Sequence, residues 1–189
     1  MSKVIKLPFF KRDESNEMTI NTIPLKQYRD LPHVNLTTLS AMQLFQQRKA
    51  LIQACTDITN AEFNTLTAPD FNTIADEAQA YILTPSDELK GTPLKVKDWA
   101  FELLFPFTNE VSEEIKTITF KVPNVIASEM LAEIKDDQER EDYMFKVVCG
   151  LENQDMDLLS INDYLTLKPR VGDFFQQSGD YFRPMTFRA

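Results

Sequence analysis

The feature that most constrains this chain is that it is written twice. Residues 50–55 lie over 145–149 with Cys55 on Cys149, an offset of 94 (149 − 55). Downstream the offset becomes 93 (153 − 60): Asn60 meets Asn153, Phe63 meets Met156, Leu66 meets Leu159, Asp70 meets Asp163, and Tyr81 meets Phe174. Matches that keep one order and nearly one offset imply two similar units rather than one continuous core. The step Thr67-x-x-Asp70 recurs as Ser160-x-x-Asp163. In both, a hydroxyl is placed to accept an orphan N–H of a first helical turn, and an acid stands at the positive helix end. Apolar residues then recur at helical spacing, Phe71, Ile74, Ala78 and Tyr81 in one copy, Tyr164, Leu167, Val171 and Phe174 in the other.

Each unit reads as a short strand followed by two or three helices. The strands are expected over 18–23 and 116–122, each running into a proline (Pro24, Pro123) that favours extended geometry before it. A helix follows over about 38–55 in the first copy and about 127–149 in the second, the latter broken near Asp136 and Asp137. A turn or short helix (60–66, 153–159) leads into the capped helix, which Pro169 is expected to kink or restart in the second copy. The fold class is therefore mainly α with short strands (α+β), organised as a first unit over 1–83, an aromatic-rich connector over 84–115, and a second unit with its tail over 116–189.

Composition excludes most site chemistry. Four glycines leave no phosphate loop or dinucleotide fingerprint, and one histidine with two cysteines cannot supply four zinc ligands unaided. No cofactor, metal or catalytic set is expected, and the chain is not expected to be an enzyme. The acid pairs Asp155 with Asp157 and Asp163 with Asp173 read as solvated or capping residues, and His33, beside Pro32, as a loop residue. Net charge is −9, with 9 basic and 11 acidic side chains in residues 1–94 against 11 and 18 in 95–189, which disfavours nucleic acid and anionic membranes as partners. No apolar run is long enough to span a bilayer, the first residues lack the pattern of a secretory signal, and Cys55 and Cys149 read as buried apolar groups in a reducing compartment. The remaining reading is a protein that works by binding. The residues expected to carry it are the aromatics outside the repeats: Trp99, Phe101, Phe105 and Phe107, then Tyr181, Phe182 and Phe187.

The second copy also resembles a known family. The order Ile118-Thr-Phe-Lys-Val-Pro123, a helix, Val148-Cys-Gly-Leu151, Leu158-Leu-Ser-Ile-Asn-Asp-Tyr164 and Val171-Gly-Asp-Phe-Phe175 is similar to the tail assembly chaperones of long-tailed bacteriophages. The first copy, with Ala54-Cys-Thr-Asp57 and Leu66-Thr-Ala-Pro-Asp-Phe71, resembles the baseplate hub assembly proteins of T-even-like phages. The resemblance implies a non-enzymatic assembly factor that binds and shields the tape-measure protein or hub subunits in the host cytoplasm. Its alternative is a structural subunit of the central hub that stays in the virion's tail baseplate. A second copy of the chain is a further candidate partner. Physically this is helix-in-groove recognition, offered twice by a doubled unit.

Overall fold

The computed structural model describes residues 1–183. The chain divides into two compact units, the first made of residues 1–84 with 160–162, the second of 85–159 resuming at 163. The first contains β1 (Lys3–Lys6), β2 (Glu17–Ile20), α1 (Leu25–Arg29), α2 (Ala41–Cys55), α3 (Asn60–Thr65) and α4 (Ala68–Ile82). The second opens with α5 (Ser86–Lys90) and continues with β3 (Ala100–Thr108), β4 (Glu114–Thr119), α6 (Val125–Glu133), α7 (Asp137–Cys149) and α8 (Asn153–Leu158). Helix α9 (Ile161–Gln176) and a 3₁₀ turn at Gly179–Phe182 complete it, with Ile161 and Asn162 grouping with the first unit. The result is a mainly helical α+β fold in which, α5 aside, an antiparallel hairpin and four helices occur twice in the same order.

Three details differ from the sequence reading. Each expected strand is one arm of a hairpin, and the segment 84–115 carries α5 and β3 of the second unit. Helix α9 runs through Pro169 without restarting. The cysteines are not equivalent. In the first unit the Asn21 N–H donates to the Cys55 carbonyl at 2.8 Å, and in the second the Lys121 N–H donates to the Val148 carbonyl, also at 2.8 Å. Cys55 therefore corresponds to Val148, and one offset of 93 (148 − 55) runs through α2 and α7 as well. The buried faces agree: Ile52 and Cys55 in α2, Phe145 and Val148 in α7. Cys149 is an extra buried residue of a helix that closes on the left-handed Gly150 (φ 70°), whereas α2 ends on extended Thr56. Both thiols are buried, and desolvation pushes each up to about 12.

The hairpins bury equivalent pairs. Ile5 stands opposite Met18, and Phe101 opposite Ile118, all four in their cores. Ile74 and Leu167, Ala78 and Val171, Tyr81 and Phe174 then present matching buried faces of α4 and α9. In the first unit the Asn162 amide closes the end of α4, donating to the carbonyls of Tyr81 and Thr84 at 2.8 Å each. In the second, the Thr166 hydroxyl accepts from the Asp87 N–H (3.2 Å) and meets Ser86 Oγ at 3.1 Å, tying α5 to α9.

The repeated acid does more than face a helix dipole. The Thr67 hydroxyl accepts the Asp70 N–H at 3.3 Å, forming the hydroxyl half of a capping box. The carboxylates themselves turn inward, and Asp70 and Asp163 are both fully buried. Asp163 Oδ1 accepts the Leu104 N–H at 2.9 Å and Oδ2 the Phe105 N–H at 3.0 Å, where the β3–β4 register is interrupted between Glu102 and Phe107. The side chain thus satisfies donors that an irregular strand withdraws from its ladder. Asp70 has no hydrogen-bond partner for either oxygen. Aligning Ile5 with Phe101 and Leu7 with Leu103 puts Pro8 where Leu104 stands, and proline has no N–H to give.

Three outcomes follow. Asp163→Asn keeps the shape but removes a charged acceptor of two N–H groups, and lowers unfolding stability by about 2 kcal/mol, measured by urea denaturation. Pro8→Ala adds a backbone N–H at the position that matches Leu104, and is expected to give Asp70 a donor and raise stability. In an Asp70→Ala background the same change lowers it, because only the lost rigidity of proline remains; thermal melts of the four proteins read the sign reversal. Neither thiol reacts with a maleimide at pH 8 until the chain is unfolded in urea, as mass spectrometry of the quenched adducts shows.

Candidate functional site

The aromatic residues singled out from sequence separate into three groups. Trp99, 43% exposed, packs on Phe174 (centroids 5.7 Å) and Phe182 (6.3 Å), with Phe174 and Phe182 stacked at 4.9 Å and Tyr181 edge-on to Phe182 at 5.2 Å. This cluster closes over Arg170, whose guanidinium lies 4.7 Å from the Phe174 centroid, 5.3 Å from Phe182 and 5.6 Å from Phe120. Arg170 and Phe174 share a face of α9 because they stand four residues apart. Arg170 Nη2 donates to the carbonyls of Val96 and Asp98, and burial pushes the guanidinium below its ordinary value against the field of Asp173. The rings serve as a cover for a buried cation. Phe101 is 6% exposed and belongs to the core, correcting its expected place on a binding surface, because it occupies the inward register of β3 beside Leu103. Phe105 and Phe107 are half-buried on the same strand. Phe187 lies outside the described residues. The aromatic set is thus not one open platform.

Exposed apolar surface in the second unit lies elsewhere. On α6, Ala127 and Leu131 face inward, while Val125, Ile126 and Met130 are more than half exposed and continue the chain from exposed Val122. Ile126 and Met130, four residues apart, extend the apolar stripe beyond what the unit covers. The signal lay in the helix itself, where Val125, Ile126, Ala127, Met130 and Leu131 are more apolar residues than one buried face of nine residues takes.

Each unit also has a groove between its second and fourth helices. In the first, Gln47, Arg48 and Leu51 of α2 face Gln79 and Ile82 of α4, with Leu83 just past its end. In the second, Arg140, Glu141 and Met144 of α7 face Gly172 and Gln176 of α9. The offset of 93 maps Gln47 on Arg140, Arg48 on Glu141, Leu51 on Met144, Gln79 on Gly172 and Leu83 on Gln176. The cavities differ in size, about 170 Å³ in the first unit and about 470 Å³ in the second. Both carry a helix-to-helix ion pair with opposite polarity: Arg48 on α2 to Asp76 on α4, and Glu141 on α7 to Lys168 on α9 at 2.6 Å. Tyr164 joins the second pair, donating to Glu141 Oε1 at 2.5 Å and accepting from Lys168 Nζ at 2.8 Å. Burial first, then that bond to Glu141, push the Tyr164 phenol up to about 12. Burial works against the Lys168 charge, yet Glu141 and Tyr164 raise it above its ordinary value.

Two wall residues of the larger groove are costly to the helix that carries them. Pro169 sits inside α9 with no N–H for the Leu165 carbonyl, a penalty of about 3 kcal/mol in an ordinary helix interior. Gly172 costs about 1 kcal/mol relative to alanine there. Among the described residues a Cβ on Gly172 would meet nothing closer than the Gln176 amide at 4.0 Å, so their packing does not require a glycine. Its effect is to leave the floor of the groove free of side-chain bulk. The first unit has Asp76 and Gln79 at these two positions.

Comparison with known proteins falls on this same unit. Residues 100–176 match the model of a family described as phage tail assembly chaperone proteins, E, or 41 or 14. The matched segment runs from the first residue of β3 to the last residue of α9, less than half of the chain. No match was found among curated proteins or among solved structures. The hairpin, the four helices and the wider groove are therefore the part of this chain that is similar to tail assembly chaperones, and the match supports a role in tail assembly.

Proposed function

We propose that this chain is a non-enzymatic phage tail assembly factor that binds and shields the tape-measure protein, or hub subunits, in the host cytoplasm while the tail is built. The observation that carries the reading is a coincidence of boundaries. The family match begins and ends with the hairpin-and-four-helix unit, and that unit holds both the wider groove and the uncovered apolar face of α6. A long helical client exposes apolar stripes before it is enclosed. An acidic chain with a groove and an apolar helix face can cover such stripes and keep the complex soluble. The cover works by binding alone and uses no bond-making step.

Co-expression with the tape-measure protein of the same phage tests this. The client is expected to move from the pellet to the soluble fraction and to co-purify with this chain. The double substitution Ile126→Lys, Met130→Lys, on a face the fold leaves exposed, is expected to keep the melting temperature and to reduce the co-purified client several-fold. A client that stays insoluble in the presence of the unaltered chain, at matched expression, overturns the reading. Stoichiometric recovery of the chain in purified virions would move it to a hub subunit.

A further inference from the structure

The two grooves are equivalent in position, yet among the described residues one has a third wall and the other does not. In the first unit the connection between α1 and α2 runs from residue 30 to 40, and Leu31 and Val34 on it, with Tyr28 of α1, line the cavity opposite α2 and α4. The segment turns on itself through bonds from the Leu31 N–H to the Tyr28 carbonyl (3.1 Å) and from the Leu36 N–H to the His33 carbonyl (3.1 Å). It thereby presents two aliphatic side chains three residues apart, with Arg29 and His33 beside them. In the second unit the corresponding connection is only residues 134–136, and every described residue lining the groove comes from α7 or α9. The larger cavity, about 470 Å³ against about 170 Å³, is what an absent third wall leaves.

From this internal comparison we infer that the groove between α7 and α9 binds a client segment of the kind the first unit supplies to itself: two aliphatic side chains about one turn apart, flanked by a basic residue. The inference rests on the proposed assembly role and specifies the chemistry of its client. Glycine at 172 leaves room for the incoming side chains. Proline at 169 supplies no N–H to the Leu165 carbonyl, and a donor from the client is assigned to it. Charge agrees with a basic flank. Glu141 and Lys168 are engaged with one another, and Arg140 donates to the Ile134 carbonyl at 3.2 Å. Asp173 is engaged as well, accepting from the Tyr181 hydroxyl at 3.0 Å and standing 4.0 Å from the Arg170 guanidinium, which leaves Asp137, in the first turn of α7, as the acid of the lining that faces a basic flank. The surrounding half of the chain is itself strongly acidic.

The test uses the full chain and a labelled peptide of its own residues 26–37, which carries Arg29, Leu31 and Val34. Fluorescence anisotropy is expected to show saturable binding to the unaltered chain. Gly172→Leu fills the groove and restores a helix-forming residue, so it is expected to melt no lower than the parent while weakening the peptide at least tenfold. Gln79→Leu, at the matching position of the already walled groove, is expected to leave the peptide affinity unchanged. Equal binding to parent and Gly172→Leu, or no binding to either, overturns the inference whatever the tape-measure protein does. Should the peptide behave as expected while the tape-measure protein fails to co-purify, the groove stands and the assembly role falls. A dimer in light scattering that Gly172→Leu dissolves would assign the groove to a second copy of this chain and overturn a client as its occupant.

Discussion

A buried carboxylate at the third residue of the last helix organises the second unit. Asp163 reaches out of α9 to the backbone of β3 and takes two N–H groups that the interrupted ladder no longer pairs. Without it, Leu104 and Phe105 would bring unsatisfied donors against a packed helix, at a cost of about 1–3 kcal/mol each. With it, the start of α9 is held against the hairpin at one fixed register. From that point the helix places Arg170 and Phe174 under Trp99 and Phe182, and Lys168, Pro169 and Gly172 along the groove. One hydrogen-bonded contact near the N-terminus of α9 therefore sets both the closed aromatic cluster and the open groove wall.

The first unit keeps the acid without keeping its donors. Asp70 is as deeply buried as Asp163, and aligning the two hairpins puts Pro8, which has no N–H, at the position of Leu104. Asp70 lies in the first turn of α4, at the positive end of the helix dipole. This is the pattern of two copies released from identical constraints. Where one copy has diverged, its partner shows what the position originally needed. The same logic separates the ion pairs, Arg48 with Asp76 and Glu141 with Lys168, which join the same two helices with their charges exchanged. Attraction survives an exchange of both signs, so the pair is maintained while the field it presents to the groove is changed.

Much of this was legible in the sequence, and the failures have definite causes. Helices and caps showed because capping hydroxyls and 3.6-residue periodicity are local signals: Thr67 does cap α4, and the apolar faces of α4 and α9 are the ones expected. The break at 134–136 showed because Asp136 is an N-cap, taking the N–H groups of Gln138 and Glu139 at 2.9 Å each. Strand β3 did not show. Its run Leu103-Leu-Phe-Pro-Phe107 lacks alternation and contains a proline, both consequences of the ladder interruption that Asp163 repairs from nearly sixty residues away. The cysteines misled because identical residues attract an alignment, whereas the strand-to-helix hydrogen bond fixes Cys55 against Val148. Aromatic density was a poor guide to a free surface, since Phe101 is core and Trp99 packs on Phe174 and Phe182, two of the rings that cover a buried arginine.

The groove was invisible for a different reason. It is defined by what the second unit lacks, a long connection between its first two helices and side chains at 169 and 172 that would favour the helix. Sequence pattern reports what favours a fold, and Pro169 and Gly172 both act against one. Residues that cost helix stability and answer no packing need inside the chain call for another explanation, because natural sequences shed such costs wherever function permits. The first unit gives the comparison: at the same two sites it has Asp76, paired with Arg48, and Gln79, beside a groove already closed by Leu31 and Val34. Helix-weakening residues are thus confined to the copy whose groove is open. That pairing of local instability with an absent wall among the described residues is why the proposed client site is placed in this groove rather than on an exposed aromatic.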